Sequence, residues 1–335
     1  MTLEDKISIV KDILRDRKVA IGFSGGADST LIAYLSCEVA KDTLAVTVDN
    51  HLLPRGFIEN ARKACKGFGI KHVVVDIDFY ESEEFLKNSP ERCFSCRSTM
   101  YSAIENIANG RGFDFICDGN NISDLVADRP GILVTYEKGF NTPFIEAKLT
   151  SADIHEYLDK KAVPYSRSTT CLATRIPTNT PTTKEKIDRI GLCEDHILDN
   201  TECEIVKVRD FGEIGIVEVD KIDEILSEDK FKQINDALKA QGFKKVCLNL
   251  SPIDDNEHIT IDYEEGSFSY SLPFAIDIES TKDQMENIIS YDEEKIKLYN
   301  ITIHDDGLIE GHDFEDYDKA LDCFMDTLQK IRRKI

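Results

Sequence analysis

Residues 22–30 read Gly-Phe-Ser-Gly-Gly-Ala-Asp-Ser-Thr and constrain this chain more than any other stretch. They follow a short apolar run, Val19-Ala20-Ile21, and precede a helical pattern with apolar residues at Leu31, Ile32, Leu35 and Val39. A strand, a serine–glycine loop and a helix start therefore fall in that order. Gly25 and Gly26 let backbone N–H groups converge on an anion without Cβ interference. Ser24 and Ser29 add hydroxyls, and the helix N-terminus adds its partial positive charge. Such a loop is a phosphate cradle. The glycine-lysine-serine ending of the mononucleotide loop is absent, and so is Gly-x-Gly-x-x-Gly.

The surrounding pattern says which fold presents the cradle. Strands are expected at Val19–Phe23, Leu44–Val48, His72–Val75 and Phe113–Cys117, with helices at 3–17, 28–40, 56–68 and 97–109. Such alternation indicates an α/β fold with a doubly wound parallel sheet. Ligands bind such sheets at the carboxyl ends of the strands. Ser24, Asp49 and Asp118 each follow or close a strand there, so they are expected to converge. Thr150 should cap a helix at Ser151–Lys161. A loop rich in Pro, Ser and Thr follows at 164–183. A helix at Ile187–Leu198, strands at Glu204–Val208 and Gly215–Val219 around a turn at Asp210–Gly212, a helix at 230–241 and a strand at Val246–Leu250 describe a small α+β unit. Beyond 250, strands are expected at 258–263, 267–272 and 298–303 and helices at 281–289 and 316–331. The expected division is 1–165, 166–250 and an acidic α+β extension at 251–335.

The formal charge is −22, which disfavours a non-specific grip on nucleic acid. It is uneven: residues 251–335 hold 22 acidic against 8 basic side chains, net −14, which leaves −8 for the first 250. No apolar run approaches the roughly 20 residues of a membrane span. The opening Met-Thr-Leu-Glu-Asp starts an amphipathic helix and not a signal peptide. The expectation is a cytoplasmic protein with no membrane partner. In that compartment ten cysteines point to metal or redox chemistry before disulfides. Cys37, Cys65, Cys117, Cys247 and Cys323 lie among apolar neighbours, as small core residues do.

Three constellations carry chemistry. Asp118-Gly119-Asn120-Asn121 follows the fourth strand; Gly119 permits a tight turn from which Asp118 and Asn120 can face a nucleotide, although a plain Asx turn reads the same way. Cys93-Phe-Ser-Cys96 lies in a polar segment before the next helix, and Cys171 lies in the later Ser/Thr loop. A lone Cys-x-x-Cys is a redox pair, half a zinc site or an accident. Three thiolates are one short of a closed zinc site. They suit a [4Fe–4S] cluster with one open iron, and equally a reactive thiol with two helpers. Arg175, Lys207 and Arg209 form a cationic set. Lys207 and Arg209 are two apart on one strand and share a face, which Glu218 on the next strand can join. In so acidic a chain the set suggests an anionic substrate, although plain solvated surface charges read the same way.

The Ser24-Gly-Gly-Ala-Asp-Ser29 order resembles the PP-loop of ATP pyrophosphatases. Further segments extend the likeness: Leu53-Pro-Arg55, Asn88-Ser-Pro-Glu-Arg-Cys-Phe-Ser-Cys96, Asp118-Gly-Asn-Asn121, Asp128-Arg-Pro-Gly131, Pro143-Phe-Ile-Glu-Ala147, Cys171-Leu-Ala-Thr-Arg-Ile-Pro177 and Phe211-Gly-Glu-Ile-Gly-Ile-Val-Glu-Val219. Together, over roughly residues 1–250, they resemble the LarE-type ATP-dependent sulfur transferases. The resemblance implies that ATP is cut between its α and β phosphates, with Asp28 helping to hold Mg²⁺. A substrate carboxylate of a pyridinium-type cofactor precursor becomes an adenylate, and sulfur then displaces AMP at the position of Cys171. It implies catalytic roles for Cys171, Asp28 and Arg175. Ser24, Gly25, Gly26, Asp28, Ser29, Asp49, Asp118 and Asn120 would hold the nucleotide, and Lys207 and Arg209 the substrate phosphate, with Glu218 on the same face of the substrate site. With Cys93, Cys96 and Cys171 all present, it favours a [4Fe–4S] cluster carrying exogenous sulfide over a sacrificial thiol. Lys207 stands where the family usually has arginine, and it loses the bidentate fork.

The implied partners are a small-molecule substrate, sulfide or a sulfur-donor protein, and further copies of the chain in a homo-oligomer. Two other readings share the loop. A tRNA thiolation enzyme is opposed by the charge and by the lack of an RNA-binding module. An adenylating amidotransferase-like enzyme leaves the three cysteines unexplained. A non-catalytic nucleotide- or cluster-binding regulator is the reading outside enzymes.

Overall fold

The computed structural model describes residues 1–167, 170–253 and 259–334. Four strands, β1 (Lys18–Gly22), β2 (Asp42–Asp49), β3 (Lys71–Asp76) and β4 (Phe115–Cys117), form one parallel sheet in the order β3-β2-β1-β4. In register, Ile21 of β1 stands opposite Ala45 of β2 and Cys117 of β4. Val19, Ala20 and Ile21 are wholly buried. That is why β1 reads as an unbroken apolar run: a central parallel strand is covered on both faces. One face packs on helices Leu3–Leu14, Ala27–Val39 and Ser151–Lys160, through Ile7, Leu31, Leu35 and Ile154. The other packs on helix Arg92–Gly110, through Tyr101, Ile104 and Ala108. The sheet is therefore doubly wound. Its strand order reverses between β1 and β4, so the loops after these two strands flank the crevice where such sheets bind ligands.

The expected helix at 97–109 begins earlier, at Arg92. Cys93 and Cys96 accordingly lie in its first turns and not in a polar connector. At that spacing they share one face of the helix. Thr150 caps its helix as expected: its hydroxyl accepts from Asp153 N, and the Asp153 carboxylate accepts from Thr150 N at 2.9 Å.

The middle unit joins helix Lys184–Asn200, β5 (Val206–Phe211), β6 (Ile214–Val219), helix Glu228–Ala240 and β7 (Lys245–Leu248). β5 and β6 are antiparallel, while β6 and β7 are parallel. The hairpin turn falls one residue later than expected, at Gly212-Glu213, because Gly212 supplies the positive φ of 77°. Asp210 stays in the strand, where Arg189 Nε donates to it at 2.7 Å.

The C-terminal unit is a six-stranded antiparallel sheet in the order β10-β11-β12-β13-β9-β8. Its strands are β8 (Asp262–Glu264), β9 (Ser267–Ser271), β10 (Ser290–Tyr291), β11 (Lys295–Lys297), β12 (Ile301–His304) and β13 (Leu308–Gly311). Helix Tyr317–Leu328 lies on it, with the Phe324 ring 4.8 Å from that of Tyr270. The strand expected at 258–263 is observed at Asp262–Glu264, and His258 lies outside the described residues. The helix expected at 281–289 is replaced by a shorter one, Ile278–Lys282, capped by Asp277. Met285 and Ile288 beyond it pack into the core from turns. This core is shared with the first unit: Ile122, Leu125, Ile132 and Ile145 belong to the same cluster as Ile276, Ile303, Ile309 and Phe324.

Candidate active site

The loop after β1 has the geometry of an anion cradle. The N–H groups of Ser24 and Gly25 both donate to Ser29 Oγ, at 3.2 and 3.1 Å, and Gly26 N donates to Ser24 Oγ at 3.2 Å. Gly25 takes φ 79° and packs on the backbone of Ala61, 3.5 Å from where a Cβ would stand. Gly26 caps the helix Ala27–Val39 from an extended conformation. Convergent N–H groups and a hydroxyl at a helix N-terminus can hold a phosphate oxygen in place of Ser29 Oγ. The next segment is tied to the same loop, since Ser166 N donates to Gly25 O at 2.9 Å.

Asp28 opens the helix. Asn121 Nδ2 donates to its Oδ1 at 2.9 Å. Burial, and after it the nearby carboxylate of Asp124, pushes the Asp28 carboxyl up to about 7. Asp124 accepts from Asn121 N at 2.9 Å in a capping box and pairs with Arg129. Asp49, at the end of β2, is half-buried and accepts from His51 N at 3.1 Å.

Asp118 and Asn120 turn inward, where the sequence suggested that they face a nucleotide. Asp118 Oδ2 accepts from Tyr101 Oη at 2.6 Å, Asn120 Nδ2 at 2.6 Å and Thr135 Oγ1 at 2.9 Å, with Arg97 at 3.3 Å. Asn120 Oδ1 accepts from Arg97 at 2.9 Å. Both residues are buried and committed to one another, so their part is to fix the turn. Asn121 is the residue that reaches Asp28. Gly119 is required for its nearness to the cradle: a Cβ there would lie 2.7 Å from Asp28 Cβ and 3.0 Å from Ser29 N.

Cys96 and Cys171 lie in one apolar cluster, and Arg92 links Cys93 to the Cys171 loop. Burial raises the Cys96 thiol to about 12, and the thiols of Cys171 and Cys93 add to the rise. Cys171 is raised by burial and drawn back down by the guanidinium of Arg92. Their neighbours are apolar, among them Leu52, Phe85, Leu172 and Ile176. Two residues just ahead of Cys93 seize the Cys171 loop. Asn88, at φ 56°, donates from Nδ2 to Pro177 O at 2.9 Å and Thr180 O at 2.8 Å. Arg92 donates to Ala173 O at 2.9 Å and to Cys93 Sγ at 3.4 Å.

The cationic set adjoins the same loop. Arg209 NH1 donates to Thr174 O at 3.0 Å, and its guanidinium pairs with Glu218 at 2.9 Å. Burial, then Arg175 and Arg209, lowers the Lys207 ammonium from its ordinary value. Arg175 is fully buried. It pairs with Glu194 at 2.8 Å and donates to Thr170 Oγ1 and Thr174 Oγ1 at 2.6 and 2.8 Å. Glu194 Oε1 also accepts from Val208 N at 2.9 Å, between Lys207 and Arg209. Arg175 thus positions the Cys171 loop on β5, and its own donors are taken.

Sequence reasoning passed over Asn88, Arg92, Arg97, Asn121 and Glu194 as site residues. The first two sat in the motif around Cys93 and Cys96 and could have been found there. Glu194 carries no local signal, because its partner lies nineteen residues away.

A parallel sheet whose switch point carries a Ser-Gly-Gly-Ala-Asp-Ser cradle defines the PP-loop ATP pyrophosphatases, and residues 3–96 match the family model described as NAD synthase. Relatives narrow the class. An uncharacterised protein, MJ0830, of Methanocaldococcus jannaschii is 29% identical over 72% of this chain and 92% of its own length. The pyridinium-3,5-bisthiocarboxylic acid mononucleotide synthase of Lactiplantibacillus plantarum is 24% identical over 74% of this chain and 92% of its own. The tRNA-specific 2-thiouridylase MnmA of Treponema denticola is 33% identical, over 31% of this chain and 33% of its own. On these likenesses the chain is an ATP-dependent sulfur transferase of the PP-loop ATP pyrophosphatase kind, similar to the LarE-type enzymes. Among the described residues no helix is long and apolar enough to cross a membrane.

Proposed function

We propose that this chain uses ATP and Mg²⁺ to adenylate a carboxylate of a small pyridinium-type or related cofactor precursor, and then inserts sulfur at the activated carbon. A carboxylate oxygen attacks the α-phosphorus of ATP, and pyrophosphate leaves. A sulfur nucleophile then attacks the acyl carbon, and AMP leaves with the electron pair of the broken C–O bond. The cradle of Ser24, Gly25, Gly26 and Ser29 receives the charge that develops on pyrophosphate. Asp28 supplies the carboxylate oxygen that Mg²⁺ takes. Lys207 and Arg209, steadied by Glu218, hold an anionic group of the substrate against the Cys171 loop. The observation that supports this reading is the seating of the Cys171 loop against both the helix bearing Cys93 and Cys96 and the cationic strand.

The donor set also bears on an iron–sulfur cofactor. Among the described residues no three His, Cys, Asp or Glu side chains are grouped to hold a single metal ion. A cluster spreads its ligands wider than one ion does, and three neighbouring thiols are the donors that it takes. Cys93, Cys96 and Cys171 would hold it. When bound, a [4Fe–4S] cluster with one iron free of protein supplies a site for sulfide.

The test is AMP and thiocarboxylate formation from ATP and a pyridinium carboxylate mononucleotide with added sulfide. Cys171→Ala should still form the adenylate and pyrophosphate yet yield no thiocarboxylate. Thiocarboxylate from that variant at the wild-type rate would overturn the role of Cys171; no AMP from the wild type would overturn the reaction class. The partial match to a tRNA thiolase favours a second reading, in which unmodified tRNA replaces the small acceptor in the same assay.

A further inference from the structure

Among the described residues two arginines are buried, Arg92 and Arg175, at 8% and 1% exposure. Their surroundings differ in kind. Arg175 has the carboxylate of Glu194 at 2.8 Å. The partly buried arginines of the site follow the same rule: Arg97 has Asp118, Arg189 has Asp210 and Arg209 has Glu218. Arg92 meets only neutral groups. It donates to the amide oxygen of Asn88, to Ala173 O and to Cys93 Sγ, and the Phe85 ring centroid lies 6.0 Å from its guanidinium. Among the described residues it makes no ion pair with a carboxylate.

A guanidinium does not lose its proton in a protein. Burying it without an opposite charge is strongly unfavourable. The groups that remain to balance it are sulfur. Cys93 is in contact, and Cys96 and Cys171 belong to the apolar cluster of Phe85 and Ala173 that Arg92 touches. A cluster held by three thiolates, or a persulfide on one of them, is an anion.

We propose that Arg92 is the counter-charge of the sulfur centre formed by Cys93, Cys96 and Cys171, and that its fork sets the Cys171 loop against the helix bearing the other two cysteines. This rests on reading the three cysteines as a sulfur-carrying centre. One nitrogen of the guanidinium serves Asn88 and Ala173 while the other faces Cys93, so the charge is placed by the same contacts that close the loop. Lysine keeps the charge and loses the fork.

The experiment is anaerobic reconstitution with ferrous iron and sodium sulfide of the full chain, its R92Q and its R92K variants. Iron, acid-labile sulfide, the midpoint potential of the centre and its loss to a chelator are measured, with thermal unfolding and ATP binding as checks on the fold. R92Q should bind ATP as the wild type does. It should lose iron to the chelator about tenfold faster, the scale expected when a partner of metal ligands is removed, and its midpoint should move to more negative potential. R92K should hold full iron and sulfide with a wild-type midpoint and an intermediate rate of loss. R92Q with wild-type retention and midpoint would overturn the proposal. So would an R92K centre lost as completely as that of R92Q, because packing alone would then be at stake. Should R92Q fail to fold, R92K decides: a retained centre supports the counter-charge, and a lost one overturns it. A wild type that takes up neither iron nor sulfide removes the cysteine reading itself, and this inference with it.

Discussion

Asp28 combines two demands that oppose each other in the metal-free protein. It sits in the first turn of the cradle's helix, where burial and Asp124 push its carboxyl from 3.8 up to about 7. Between those values the folded chain keeps a proton that the unfolded chain has released. Stability contributed here therefore falls as pH rises through that window, and the loss is complete above about 7. Asparagine has nothing to release and still offers Oδ1 to Asn121. Asp28→Asn should melt above the wild type at pH 8, with the gap closing as pH falls toward 5. A gap that stays constant across thermal melts from pH 5 to 8 would show that the carboxyl is not held in this way. The same variant should lose AMP formation, since it gives up the anionic oxygen that Mg²⁺ takes; such opposition of stability and activity is common at active sites.

Among its described residues the Cys171 loop has no regular strand or helix beyond the turn Leu172–Arg175, so its place depends on what grips it. Asn88, at the end of helix Glu83–Lys87, and Arg92, at the start of helix Arg92–Gly110, hold it from one side, and Arg175 with Glu194 holds it from helix Lys184–Asn200 and β5. Breaking the second grip should be severe. Arg175→Gln leaves a carboxylate buried alone, a change that typically costs about 3–5 kcal/mol, read as a lower urea midpoint. Adding Glu194→Gln should recover part of that, because glutamine still accepts from Val208 N and carries no charge. A double variant no more stable than the single one would mean that the buried charge is not the source of the loss. These grips also mark where a sequence stops being legible. The cradle, the sheet and the cationic strand are local patterns of period two or 3.6, with caps that can be read. The helix carrying Cys93 and Cys96 was hidden because Glu91 caps it without a side-chain hydrogen bond, and its first turns are polar. The inward turn of Asp118 needs Arg97, Tyr101 and Thr135, which come together only through tertiary packing.

The C-terminal unit has the composition of a solvated appendage, at net −14, yet it shares a core with the nucleotide unit. Ile122, Leu125, Ile132 and Ile145 flank the segment that holds Asp124, Arg129 and the capping box beside Asp28. Outside that core, Lys148 pairs with Asp322 and Asp326 at 2.7 and 2.8 Å, and Arg333 pairs with Asp128 at 2.7 Å. Their aspartates are more than half exposed, and ion pairs open to water on one side add little. The apolar contact decides the matter: burying one such side chain is worth about 1.5–3 kcal/mol, so four of them amount to a large part of the roughly 5–15 kcal/mol by which a domain is stable. The extension therefore behaves as a wall of the nucleotide unit. A chain ended after Leu250 should aggregate or bind ATP at least about tenfold more weakly, a loss of 1.4 kcal/mol or more, and the full chain should lose both units in one thermal transition. A soluble, monomeric 1–250 fragment with wild-type ATP affinity would return the extension to the passive role that its charge suggests. The same comparison separates packing from charge: neutralising Asp322 and Asp326 to Asn should leave the melting temperature within a few degrees, since both aspartates are more than half exposed and the amide oxygens still accept from Lys148, whereas Leu125→Ala should lower it by an amount matching the 2–5 kcal/mol of a core truncation.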